Sequence, residues 1–302
     1  MLNNGYFNAI MAGAIWGLIG IGSHNLSSLG LNSYEISFLR VFYAFLFGLI
    51  YLKIGKIKNE RTSNKIHRKF YKKHIPWDVW KYLIVIGSLS QGALNIFFSK
   101  AVTELGTITA VLLLATGPLF TVIMCRVFFN EKLSFYKGIA IIAICFGATL
   151  LLTEGNFYSL KFGYYGIFLG LMSGVCYGFY PIGIKKIGLD YDPVKLTIYT
   201  FGVASLFLIL FIKPDFIKIA LMPKVVLGGL FYAIIPTLLA YILFARAVRT
   251  IPVSTVSILS LIEIPSATLF GVFFLSETIG FYKGMGILIM VVGMIALKLI
   301  KK

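Results

Sequence analysis

Long apolar runs separated by short polar stretches make up almost the whole chain. Ten of these runs approach the roughly 20 apolar residues that a bilayer-crossing helix needs: 5–26, 34–52, 80–99, 106–125, 135–153, 163–184, 195–212, 224–244, 252–275 and 280–297. Apolar and polar residues do not alternate within them, which argues against lipid-facing strands. Hydrocarbon offers no partner to a backbone N–H or C=O, so continuous apolar runs of this length must be helical. The pattern predicts an all-α membrane protein with ten transmembrane helices. The first run opens at Gly5 with no Lys or Arg before it. A secretory leader has a basic head, so this run reads as a retained first span.

Composition agrees with the pattern. Of 302 residues, 59% are apolar and 13% charged, and the mean hydropathy is +0.90. A soluble domain has about 45–50% apolar and about 25% charged residues, so an ordinary soluble enzyme and a disordered chain are both excluded. The formal charge of +17 would suit a nucleic-acid partner if the cations formed one surface. They lie instead in loops between spans. Ten fall between Lys53 and Lys81, opposed only by Glu60 and Asp78. By the positive-inside rule that loop is cytoplasmic, and with ten spans both termini are cytoplasmic too. The loops assigned inside then carry 21 Lys and Arg and those outside carry 6, with Arg40 within a span.

The chain is also similar to itself. Phe135-Tyr136-Lys137-Gly138 recurs as Phe281-Tyr282-Lys283-Gly284, 146 positions on. Ala101-Val102 is matched by Ala247-Val248, and the pairs Pro118 with Glu131 and Pro265 with Glu277 follow in step. Trp16-Gly17 answers Tyr177-Gly178 at an offset of 161, the difference being about the extra length of the basic loop. Two five-helix halves, 1–153 and 154–302, follow from this. Five is odd, so the second half enters the membrane from the opposite face. An inverted-topology repeat of this kind is common in secondary transporters, whose solute site lies where the halves meet.

These residues resemble the drug/metabolite transporter superfamily, in particular its EamA-type ten-helix members. The likeness rests on the runs from Pro118 through Glu131 to Gly138 and from Pro265 through Glu277 to Gly284. It also draws on Leu39-Arg40 and on Glu263-Ile264-Pro265, where Ile264 stands between the glutamate and proline that are commonly adjacent in the family. The resemblance implies a central chamber lined by spans 1–4 and 6–9, with spans 5 and 10 at the periphery.

Candidate chamber residues are those whose polarity is costly in lipid. Glu263 sits near the middle of the ninth span and suits a proton-coupling site, a counter-charge for a cationic group, or a structural partner. Arg40 lies within the second span and could form an ion pair, reach the interface, or bind a carboxylate or phosphate. Gln91, Asn95 and Ser99 recur at a spacing of four and share one helix face. Trp16, Tyr177, Tyr180 and Tyr241 could wall an aromatic pocket or serve as packing. Pro118 and Pro265, each removing a helical hydrogen bond, are candidate hinges. Glu131 and Glu277 are expected to play a shared structural role, capping the next helix or tying a loop to Lys137 and Lys283.

No GxxxxGK[ST], GxSxG or HExxH motif is present, and the three cysteines and three histidines lack metal spacing. No catalytic residues, metal or cofactor are expected. The expected function is secondary active transport of a small metabolite, an amino acid or related compound, by export across the cytoplasmic membrane. An importer of the same fold and a non-transporting ligand-binding subunit or receptor are the alternatives. Partners are a small-molecule substrate and the bilayer, with room for proton coupling and a homodimer, and no nucleic acid.

Overall fold

The computed structural model describes residues 2–61, 74–131, 135–188 and 190–299. Five basic residues of the predicted inner loop, Lys65, Arg68, Lys69, Lys72 and Lys73, lie outside them. The described residues form helices and connecting turns, with no strand.

In chain order the helices are α1 (Leu2–Trp16), α2 (Ile19–Ser27), α3 (Ser33–Arg61), α4 (Trp77–Ile86), α5 (Leu94–Leu114), α6 (Gly117–Phe129), α7 (Phe135–Thr153) and α8 (Tyr164–Ile187). They continue as α9 (Pro193–Leu208), α10 (Phe216–Ala220), α11 (Pro223–Ala233), α12 (Ala240–Val248), α13 (Val253–Leu259), α14 (Glu263–Leu275) and α15 (Phe281–Leu299). Local chemistry sets several starts. Asn32 caps α3 by accepting from Tyr34 N–H and Glu35 N–H, while the Glu35 carboxylate accepts from Asn32 N–H at 2.9 Å, a reciprocal capping box. Asp192 caps α9 by accepting from Val194 N–H, with Pro193 at the first helical position.

Among the described residues, seven helical stretches are long and apolar enough to cross a membrane, and three apolar helices are shorter: Gly117–Phe129, Lys137–Thr153 and Phe281–Ala296. Two of the shorter stretches belong to α7 and α15, each 19 residues long, and the third follows an irregular segment. The stretch Trp77–Leu114 is 38 residues long, far longer than a bilayer needs. It is broken at Gly106, where φ is 77° and ψ 165°, a conformation that only glycine adopts cheaply. The helix that resumes beyond Gly106 is broken again around Ala115–Thr116, before Pro118, so α6 registers as a short helix.

Irregularities recur at the sequence offset of 146. A π-helical segment at Gly87–Ala93 joins α4 to α5, and another at Ile234–Leu239 joins α11 to α12. A break precedes Pro118, and a 3₁₀ turn at Ser260–Ile262 precedes Pro265. Helix α6 ends on left-handed Asn130 (φ 53°, ψ 28°), and α14 ends on left-handed Ser276 (φ 56°, ψ 30°). Each proline therefore sits in the first turn after a break, where its missing N–H costs little.

Packing joins early helices to late ones: α1 against α12 and α14, α8 against α5 and α6, α3 against α9, and α7 against α15. Between lipid-embedded helices such contacts depend on close backbone approach rather than on the hydrophobic effect. Gly13 of α1 and Gly174 of α8 supply it at matching places. A Cβ on Gly13 would lie 2.6 Å from the Ser260 carbonyl oxygen, and one on Gly174 would lie 3.0 Å from Thr116 Oγ1. Each broken helix is thus received by a smooth glycine face.

Candidate functional site

Four helices converge on one small chamber. Trp16 ends α1, Gln91 lies in the first π segment, Tyr177 and Tyr180 lie on α8, and Tyr241 opens α12. Their rings interlock. Trp16 stands 4.9 Å from Tyr241 and 5.1 Å from Phe244, and Tyr180 stands 5.0 Å from Tyr241, centroid to centroid. Hydroxyls tie the walls to other helices: Tyr177 shares a 2.7 Å hydrogen bond with Ser260, and Tyr180 a 2.9 Å bond with Thr197.

These five residues, with Ser90, Leu94, Pro181 and Phe244, enclose a void of about 10 Å³, room for about one water. Two polar atoms in this wall are buried without a hydrogen-bond partner, the Trp16 indole Nε1 and the Gln91 Oε1. A buried polar atom left unmade costs about 1–3 kcal/mol. Tertiary structure alone added Ser90, Leu94, Pro181 and Phe244. Apolar residues and a serine in a membrane helix carry no sequence signal for lining a chamber.

Arg40 is 6% exposed and sits over the Tyr232 ring, 5.8 Å from its centroid. Tyr232 in turn shares a 2.8 Å hydrogen bond with Ser23. Among the described residues the guanidinium has no carboxylate partner, and its Nε has no hydrogen-bond partner. Glu263 begins α14, immediately after the 3₁₀ turn. It is partly exposed and has no ion pair or hydrogen bond among the described residues.

The remaining candidates separate. Asn95 donates to the Gln91 carbonyl and its Oδ1 accepts from Ser37 Oγ at 3.1 Å, so it joins α5 to α3. Ser99 is half-buried on α5, and its carbonyl accepts from Thr103 Oγ1. Gln91 lies in the π segment Gly87–Ala93, while Asn95 and Ser99 lie on α5 four residues apart. Pro118 and Pro265 are buried at the two helix breaks. A larger apolar groove of about 460 Å³ between α7 and α15, lined by Ile139, Ala143, Leu288 and Val292, offers no polar chemistry.

Beyond the chamber the helix ends meet. Glu131 accepts from Ser254 Oγ at 2.7 Å and from Lys185 Nζ at 3.2 Å. Burial acts to raise the pKa of this carboxyl, but the Ser254 hydroxyl and the Lys185 ammonium outweigh it and hold it below the ordinary value. Lys185 also lies over Phe129, and the neighbouring Lys186 over Phe128 and Tyr82. The expected tie from Glu131 to Lys137 is therefore replaced by one to α8 and α13. Glu277 does meet Lys283, at 3.7 Å, and Lys283 lies closer still to Glu154, at 2.9 Å.

Helices of this number, length and apolarity define a multi-pass membrane protein, with the bilayer as solvent. The profile of the EamA-like transporter family matches residues 3–153 and 164–299. The chain belongs to that family.

Relatives extend over most of its length. An uncharacterized transporter of Archaeoglobus fulgidus is 25% identical over 271 residues, 90% of this chain and 88% of that protein. The uncharacterized transporter YwfM of Bacillus subtilis is 23% identical, covering 77% of each. The uncharacterized inner membrane transporter YicL of Salmonella typhimurium is 21% identical over 98% of this chain and 95% of its own. One crystal structure superposes with a TM-score of 0.75 at 15% identity, covering 98% of this chain and 97% of the other, and so shares the fold.

Proposed function

We propose that the protein is a secondary active transporter that exports a small metabolite, an amino acid or a related compound, across the cytoplasmic membrane by alternating access. In this reading the chain crosses the bilayer ten times, as two inverted repeats of five helices, 1–153 and 154–302, with both termini cytoplasmic. The recurrence of π segments, breaks and left-handed caps at one offset supports the repeat. So do the reciprocal pairings of α1 with α14 and of α8 with α6.

The observation that carries the reading is the collapsed chamber. A void of about 10 Å³ admits no metabolite, so a solute must enter by moving helices that belong to different halves. The Glu131–Lys185–Ser254 contact, which joins the end of α6 to the ends of α8 and α13, must break to open that end. In this topology that end is cytoplasmic. Opening there admits the metabolite, and reclosing followed by opening of the opposite end releases it. Pro118 and Pro265, beside the helix breaks, are the hinges. A proton or substrate gradient supplies the driving force.

The test is counterflow in proteoliposomes. Export by alternating access predicts saturable exchange of preloaded against external metabolite. A short bifunctional thiol reagent joining cysteines placed at 131 and 254, in a background without native cysteines, should stop exchange, and cleaving the link should restore it. Exchange that survives the link would overturn the mechanism. Saturable binding with no net movement would instead favour a ligand-binding subunit, and accumulation inside right-side-out vesicles would favour an importer.

A further inference from the structure

Lys185 and Lys186 are consecutive near the end of α8 and meet different surroundings. Lys185 is half-buried over Phe129 and bonded to Glu131. Lys186 is exposed, and its ammonium stands 4.9 Å from the Phe128 ring centroid and 5.6 Å from that of Tyr82. Both distances lie within the roughly 6 Å over which a ring face attracts a cation. Phe128 comes from the end of α6 and Tyr82 from α4, and α8 packs against both helices. The ammonium is therefore held in one place, between α4 and α6.

The rings position this cation without neutralising it. A lysine ammonium carries three N–H donors, and among the described residues Lys186 has neither an ion pair nor a hydrogen bond. Carboxylates on the neighbouring segments are taken. Asp78 pairs with Lys81 at 3.5 Å, Glu131 is bonded to Lys185 and Ser254, Asp192 caps α9, and Asp190 has a partner of its own. Around the ammonium the surface is apolar and faces outward: Tyr82, Val85, Val127 and Phe128 are all exposed. On a membrane protein such a surface meets lipid. Trp77, exposed at the start of α4, and Tyr82 are the ring types that collect at the membrane interface. Lys186 is thus an unanswered cation at the boundary between headgroups and chains.

We infer that Lys186, steadied by Tyr82 and Phe128, is a binding site for the phosphate of an anionic phospholipid. Phosphate oxygens supply the acceptors and the negative charge that the ammonium lacks. The acyl chains continue over the exposed Val85 and Val127. A soluble phosphate has to shed water against this apolar surface and gains nothing from those two side chains, whereas a lipid brings its phosphate to this depth already. In the proposed topology the site faces the cytoplasmic leaflet, where basic groups near the surface attract anionic lipid. Two adjacent lysines divide one helix end between them: Lys185 serves the contact with Glu131, and Lys186 serves the bilayer.

The test uses the delipidated full chain in detergent, so it depends neither on topology nor on transport. Dioleoyl phosphatidylglycerol should raise the melting temperature by several degrees more than dioleoyl phosphatidylcholine, whose choline already answers its phosphate. Lys186→Gln should remove at least half of that difference. Lys186→Arg should keep it, because a guanidinium also stacks on rings and binds phosphate. Lys81→Gln removes an equal charge from the same end of the molecule and should leave the difference as in wild type. In the wild-type chain, a phosphatidylglycerol carrying a photoreactive diazirine should label α4 or α6 beside Tyr82 or Phe128, a result that needs no variant to fold. The inference is overturned if the two lipids stabilise equally, if Lys186→Gln keeps the full difference, or if Lys81→Gln loses as much as Lys186→Gln. Labelling confined to other helices also overturns it. An equal rise with inorganic phosphate alone would assign the site to a soluble anion and overturn the lipid. Failure of counterflow would refute transport and leave this site standing.

Discussion

Helices α6 and α14 end in the same way and are held in different ways. Each closes on a left-handed residue, Asn130 or Ser276, and in each the glutamate that follows donates its backbone N–H at 3.3 Å to a carbonyl six residues back, Cys125 or Gly271. Beyond the backbone the likeness stops. The Glu131 side chain is 17% exposed and bonded to Lys185 and Ser254. The Glu277 side chain is 46% exposed, folds back against Gly271, and among the described residues pairs with Lys283 alone, at 3.7 Å. Glu131 itself binds early helices to late ones, whereas Glu277 reaches the chain near α7 only through Lys283, which also meets Glu154 at 2.9 Å. In the proposed alternating-access reading, equal backbones with unequal fastening hold one side shut.

The largest effect is expected from Glu131→Ala. It removes a hydrogen-bonded carboxylate and leaves the half-buried Lys185 without its anion, a loss of about 1.5–3 kcal/mol for charged hydrogen bonds. Cys125, 1% exposed and directly beneath the contact, is a native reporter. With Cys145 and Cys176 replaced, its maleimide labelling should quicken at least tenfold. Unchanged labelling would mean that the contact does not hold this end closed.

Acidification should do the same reversibly. The folded pKa of Glu131 lies below its unfolded value, so its contribution is complete above the ordinary glutamate pKa of about 4.3. It is lost as pH falls through the depressed folded value. Cys125 labelling, corrected for intrinsic thiol reactivity, should rise in that window, and Glu131→Gln should flatten the dependence. A rise that persists in Glu131→Gln would assign it to another group.

Glycine faces sharpen the comparison at the helix breaks. Gly13→Ala drives a methyl to 2.6 Å from a backbone carbonyl, which cannot step aside, and overpacking of this kind costs about 1–3 kcal/mol. Gly174→Ala approaches Thr116 Oγ1 at 3.0 Å and should cost less, because that side chain can turn. Melting temperatures in detergent should rank Gly13→Ala below Gly174→Ala. The reverse order would show the two faces to be packed otherwise. The smallest effect belongs to Glu277→Ala, within about 0.5 kcal/mol of wild type, as for most exposed ion pairs. A larger melting shift would make the two ends alike after all.

Much of this comparison was legible in the chain. The spacing of Pro118 and Pro265, of Glu131 and Glu277, and of the two Phe-Tyr-Lys-Gly runs points to matching places. The partner of Glu131 was not legible. Lys137, six residues on, was the local guess, and the pairing instead reaches 54 positions to Lys185 and 123 to Ser254. The π segment that holds Gln91, the first member of the Gln91, Asn95 and Ser99 stripe, was not legible either. A π segment adds residues to a turn, and nothing in Gly-Ser-Leu-Ser-Gln-Gly-Ala announces it.

Sequence alone determined that this chain is helical and membrane-embedded, because lipid leaves an apolar run no other way to satisfy its backbone. It also determined the offset at which prolines, glutamates and caps recur, because those residues act on the turn they occupy. Only the tertiary structure decided which charges pair, which stay single, and how tightly the chamber closes. Those outcomes depend on side chains brought together from distant helices, and the spacing of residues along one helix carries no information about them.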